Sequence, residues 1–222
     1  MGWSRSYSSS YREPVERAGR TLTAAAQQRL RAVATARAAA RQQGQMRPDD
    51  LSNALRCITW GVPRLIVTPF TDHYRIIQSP GHVVLDLETD LRIIPMDGRP
   101  HLTPNIRLRL GDSRGRWEGN ALVIDTTNFS AKSNFMGSSE HLHLVERLTR
   151  ISPDGITYDV TIDDATTWTR SWTVEIHLKR TKASLYEYAC HEGNFEVMRS
   201  ILAAARSEYE RAGETKAQSA PR

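Results

Sequence analysis

The chain has 222 residues, enough for one domain of ordinary size with extensions and for a core that needs no staples. Its formal charge of +5 is local: residues 1–50 hold nine arginines against four acidic residues, while the other 21 basic and 21 acidic residues, in 51–222, cancel. A balanced body without a basic stripe or zinc-finger spacing excludes nucleic acid as the expected partner, and without a run of about 18 apolar residues no helical membrane span is expected.

The first twelve residues, "MGWSRSYSSSYR", are Ser-rich and expected to be poorly ordered. Thr23 then suits the N-cap of a helix through "AAAQQRLRAVATARAAARQQ", with Gly44 as its stop. Beyond alanine that helix offers only Leu30 and Val33 to a core, so residues 1–50 read as a flexible start and a helical arm, the arm being suited to light packing or to a homodimer contact. Gly61 and Pro63 in "WGVPR" break regular structure.

From about residue 65 the pattern changes to period two with turn signals at hairpin spacing. "HYRIIQ", "HVVLDLE" and "LRIIP" predict a three-strand meander. "GRWEG" and "ALVIDTTNF" predict a hairpin about Gly119 and Asn120, and "HLHLVERLTRI" returns through Ser152–Gly155 into "ITYDVTID". "WTVEIHLKR" is expected to pair with "LYEYAC". The count is about eight to ten antiparallel strands without intervening helices, so the predicted fold is mainly β, a lipocalin-like up-and-down barrel over residues 51–212. Asn194 is expected to cap a C-terminal helix that lies on the barrel through Phe195, Met198, Leu202, Ala205 and Tyr209, and residues 213–222 read as a disordered tail.

Five segments, "CITWGVPR", "GRPHLTPNIR", "LGDSRGRWEGNALVIDTTNF", "GSSEHLHLVERLTR" and "YEYACHEGN", in that order, resemble the shared segments of a large group of uncharacterised bacterial proteins, many of them exported. The resemblance covers about residues 55 to 205 and implies no activity. This chain has no export-signal pattern at its start, so the expected location is the cytoplasm. Cys57 and Cys190 form no framework, which leaves one disulfide or none.

The chemistry has to come from the residues themselves. In "HLHLVER", alternation puts His141, His143, Val145 and Arg147 on one face and Leu142, Leu144, Glu146 and Leu148 on the other. Alternation does not say which face is inside. If the histidine face lines the barrel, His143 and Arg147 suit the protonation and binding of a carboxylate or phenolate; if the leucine face is the core, both point to solvent. Glu146, three positions from His143, faces away from it, so a divalent metal would need His141, His143 and His191 together; no cofactor is the leading expectation.

"YEYACHEGN" places His191 and Glu192 at a strand-to-helix junction, where a general base can sit at a barrel rim. The alternative there is structural, with Glu192 favouring the positive start of the helix. Asp125, mid-strand among Leu122, Val123 and Ile124, needs a partner, either an arginine or a proton. His101 lies in a Pro-flanked loop suited to covering a barrel mouth. Nothing resembles a GxSxG elbow, phosphate loop, HExxH or dinucleotide fingerprint.

The resulting expectation is cofactor-independent acid/base chemistry of lyase, decarboxylase or isomerase type on a partly apolar, aromatic small molecule in the barrel. His143, His191, Asp125 and Glu192 are the catalytic candidates; Arg147, Tyr74, Tyr188, Trp117 and His101 are the binding candidates. A non-catalytic carrier of a hydrophobic ligand and a metal-dependent enzyme are the alternatives.

Overall fold

The structure, a computed structural model, describes residues 2–5, 21–63, 73–133 and 135–218. Most of the Ser-rich start and Arg64 of "WGVPR" lie outside the described residues. Contacts divide the chain into two compact units, one of residues 1–26 and 60–188 and one of residues 27–59 and 189–222.

Among its described residues the first unit holds nine strands: β1 (Gly2–Arg5), β2 (His73–Ser79), β3 (His82–Asp86), β4 (Leu91–Pro95), β5 (Asp112–Glu118), β6 (Ala121–Thr127), β7 (His143–Ser152), β8 (Gly155–Asp163) and β9 (Trp172–Thr181). β4, β3 and β2 form one antiparallel ladder and β9 through β5 another, with β1 pairing to β2 on one side and β9 on the other. The predicted hairpins are therefore present. The partner expected for β9 is not: residues 182–189 form no strand, and β1 takes that edge instead.

Closure of the barrel was the finer expectation, and among the described residues no ladder joins the edge strands β4 and β5. Side chains meet there instead. A Cβ on Gly115 of β5 would lie 2.3 Å from the Met96 sulfur and 2.8 Å from a methyl of Ile94, so glycine at that position is what lets β4 and its exit pack so near.

The core follows from alternation. Along β7, Leu144, Glu146 and Leu148 are buried while His143, Val145 and Arg147 are half-exposed, so the leucine face is the inside. The same interior holds Leu122, Ile124 and Thr126 of β6 and Tyr158, Val160 and Ile162 of β8, in register with β7.

The second unit contains most of α1 (Ala24–Gln42), a single 3-10 turn at Pro48–Asp50, and α2 (Asn194–Gln218). Thr23 caps α1 as expected, its hydroxyl accepting from the Ala26 amide at 3.1 Å, and Gly44 has the left-handed φ of a helix stop, +63°. The C-terminal helix groups with α1, not with the strands: the Arg41 guanidinium grips the Glu208 carboxylate through both oxygens, and Tyr209 packs on Gly44. It runs through Gly213 to Gln218, so the tail is helical that far; its expected apolar stripe buries Ala205 but leaves Phe195 and Tyr209 exposed. Cys57 and Cys190 form a disulfide within this unit. No described helix is long and apolar enough to cross a membrane.

Candidate functional site

Asp125 is the centre of a cluster of two carboxylates and two imidazoles. It lies on the outer face of β6, opposite Val145 of β7 and Arg114 of β5, and two imidazoles converge on it. His143 Nε2 lies 3.1 Å from both carboxylate oxygens, and His101 Nε2 lies 2.9 Å from Oδ1. His101 is held from behind as well, its Nδ1 3.0 Å from Asp112 Oδ2.

Strand ends place these groups. Asp112 opens β5 and also accepts the Leu102 amide at 2.8 Å, while Asn128, just past β6, donates from its side-chain amide to the carbonyls of Leu102 and Thr103. The loop that carries His101 is thereby tied to both strands. Gly111 makes that approach possible, because a Cβ there would lie 2.6 Å from the Thr126 methyl and 2.8 Å from the Thr127 carbonyl oxygen. Arg114, 3.2 Å from Asp112, balances the second carboxylate.

The electrostatics follow from the contacts. The hydrogen bond from His143, then the charges of His143 and His101, hold the Asp125 carboxyl below the usual carboxylate range against the opposing effect of burial. The hydrogen bond to Asp125 raises His143, again against burial, with the charges of Asp125 and Asp163 adding to it; Asp163 is the cross-strand neighbour of His143 on β8. His143 therefore keeps a proton to higher pH than a free imidazole. With Nε2 committed to Asp125, Nδ1 is the atom from which that half-exposed ring can give or take a proton. His101, facing carboxylates through both nitrogens, donates to one of them when neutral and to both when protonated.

A second polar cluster lies inside the sheet. Arg92 of β4 forms a paired contact with Glu146, at 2.9 and 2.7 Å, and donates to Ser113 and Thr126, while the Tyr158 hydroxyl donates to Glu146. All of Arg92, Glu146 and Tyr158 are buried. Burial pulls Arg92 down, but the charge and hydrogen bonds of Glu146, with the nearby phenols of Tyr158 and Tyr74, outweigh it; burial and the Glu146 charge push Tyr158 well up. The two charges are matched to each other, although Arg92 Nε is buried without a hydrogen-bond partner among the described residues, and the set reads as structure.

The other expected site residues scatter. Arg147 is on the outer face with His143 but four residues along β7, about 13 Å away at strand rise, and is paired with Glu118. His141 is exposed in the turn before β7; His191 and Glu192, also exposed, belong to the second unit. Tyr74 is buried beside the inner cluster, Tyr188 stands edge-on to Trp60 at 5.9 Å, and Trp117 is half-exposed at the end of β5. Among the described residues no group of three or more His, Cys, Asp or Glu side chains is arranged to hold a metal ion.

Asp125 has the partner it needed, in the form of two histidines; its facing arginine, Arg114, bonds Asp112 instead. Asp112 is the residue of this cluster that the sequence reading does not include. A signal for it existed in the short segment "GDSRG", where the aspartate, two residues before Arg114, shares its strand face. No family model matches the chain, and neither a curated protein nor a solved structure matches it.

Proposed function

We propose that the protein acts on a small molecule by cofactor-independent general acid/base chemistry, of lyase, decarboxylase or isomerase type, at His143. The observation that carries this reading is the Asp125 carboxylate held between two imidazoles, with Asp112 fixing the far side of one of them. A raised, half-exposed imidazole backed by a carboxylate is a proton donor at neutral pH and, once deprotonated, a base of matching strength. Asp125 orients the ring and holds its Nε2 proton, which leaves Nδ1 as the nitrogen that gives or takes one. His101 and Asp112 in turn hold Asp125, so the expected roles of His143 and Asp125 are retained, and His101 moves from binding to positioning.

Turnover of a panel of aromatic carboxylic acids tests the assignment. His143→Ala should lose at least about 100-fold where the parent is active, the usual weight of a general acid or base. A variant as active as the parent overturns it.

The curled sheet is read further as an incomplete lipocalin-like barrel, with side chains rather than a ladder at the β4–β5 seam; the contact of Gly115 with Met96 and Ile94 supports that reading. The Cys57–Cys190 bond favours an oxidising compartment over the reducing cytoplasm.

A further inference from the structure

A cavity of about 600 Å³ opens at the end of the sheet where the β5–β6 and β7–β8 turns lie. Among the residues that line it are Trp3, Ile76, Gln78, Trp117, Leu122 and Arg150. Its volume lies within the range of small-molecule sites, roughly 300–1,000 Å³. It is also separate from the acid/base cluster. Leu122 lies on the inner face of β6 and Asp125 on the outer face, so the sheet itself divides the two.

We propose that this cavity is a binding site for an uncharged, planar, largely apolar small molecule. The walls decide its polarity. Among the described residues no carboxylate lines the space, and Arg150, the one charged residue of that lining, already donates to the carbonyls of Ser152 and Pro153. Deeper in the sheet, the charges of Arg92 and Glu146 are matched to each other and are not part of the lining. A cationic ligand would thus lose hydration without gaining a counter-charge, and an anion would meet only the exposed, solvent-screened guanidinium of Arg150.

Planarity follows from the two indoles. Trp3 is buried, but Trp117 sits on the inner face of β5, in register with Leu122, and is still 52% exposed. Open space takes the place of the packing that an inward-facing indole at this register would otherwise find. A flat ring entering the cavity covers that surface and gains the stacking and edge contacts that aromatic pairs favour. Gln78 at the rim offers one polar contact to an edge substituent.

Titration with N-phenyl-1-naphthylamine, an uncharged fluorophore built of flat aromatic rings, tests this on the full chain. Saturable binding at one site per chain is expected, with about tenfold weaker affinity in Trp117→Ala, a surface-accessible change that keeps the core. Ile76→Trp, which fills the space from a half-buried wall position, should abolish binding. His143→Ala should leave binding unchanged, so that failure here and failure of the acid/base reading are told apart. The anionic 8-anilinonaphthalene-1-sulfonate should bind at least about tenfold more weakly than the neutral probe. The proposal is overturned by non-saturable binding, by an affinity unaltered in Trp117→Ala, or by equal affinity for the two probes. Circular dichroism on each variant shows that the fold is kept, and if Ile76→Trp fails to fold, Trp117→Ala alone decides.

Discussion

At the scale of single residues, the pairing of Asp125 with His143 fixes how the site responds to pH. His143 has a raised value in the folded chain, so its contribution to stability is complete below its unfolded value of about 6.5 and is lost as pH rises through the folded one. Asp125 has a lowered value, so its contribution is complete above about 3.9 and is lost as pH falls through the folded one. Both are in full force between those two limits. A nuclear magnetic resonance titration of the imidazoles should therefore find His143 above the ordinary histidine range, and Asp125→Asn should bring it back down; a His143 that titrates alike in both proteins removes the coupling. If His143 is the acid, turnover falls as pH rises through the same value.

The inner cluster makes a second residue-scale prediction. Arg92→Met strands Glu146 in a dry interior and should destabilise by about 3–5 kcal/mol in urea unfolding, whereas Tyr158→Phe removes one donor and should cost about 1–3 kcal/mol. Replacing both partners, Arg92→Met with Glu146→Leu, should recover most of the loss, and a double variant as unstable as Arg92→Met contradicts a merely structural pair. Period two sets Glu146 with Leu144 and Leu148, and along β4 Arg92 shares a face with Ile94, both faces being buried. Two opposite charges at core positions were a legible sign of pairing. That they pair with each other was not, because it needs the distant strands β4 and β7 brought together.

At the scale of elements, alternation and turn chemistry located β2 through β9 within a residue or two, except that β5 starts three residues before the expected Gly115, since hairpins are written locally. What alternation leaves open is the choice of face, because both faces of β7 carry a coherent set. Edge pairing was also out of reach: the partner of β9 is β1, more than 170 positions away and too short to carry a period of its own. Glycine at the seam gives a prediction here. Gly115→Val places two methyl groups where Met96 and Ile94 already sit, and should cost about 1–3 kcal/mol by overpacking. Gly119→Ala, in an open turn with nothing near its added Cβ, serves as the comparison and isolates the cost of its positive φ. Loss of stability in the second variant alone would mean that β4 and β5 do not pack across that seam.

At the scale of the whole molecule, the disulfide is the covalent cross-link between distant parts of the chain. Cys57 and Cys190 are 133 residues apart, and the closed loop contains β2 through β9. In the chain-entropy account, a loop of that length is worth about 5 kcal/mol, all of it through restriction of the unfolded chain. While the β unit is folded, however, Trp60 and Tyr188 already lie against each other, three and two residues from the bridged cysteines, so the bond then closes only a short path. The large entropic term enters when the β unit itself unfolds. All five tryptophans, at positions 3, 60, 117, 168 and 172, belong to that unit, whereas α2 and most of α1 belong to the other. Tryptophan fluorescence and helical circular dichroism therefore report the two units separately. A reductant, or the Cys57→Ser/Cys190→Ser double variant, should lower the stability read by fluorescence by about 3–5 kcal/mol in urea, with an effect no larger on the helical signal. Equal fluorescence midpoints with and without reductant, or two free thiols titrating in the untreated denatured protein, would show that the bond does not hold the β unit closed.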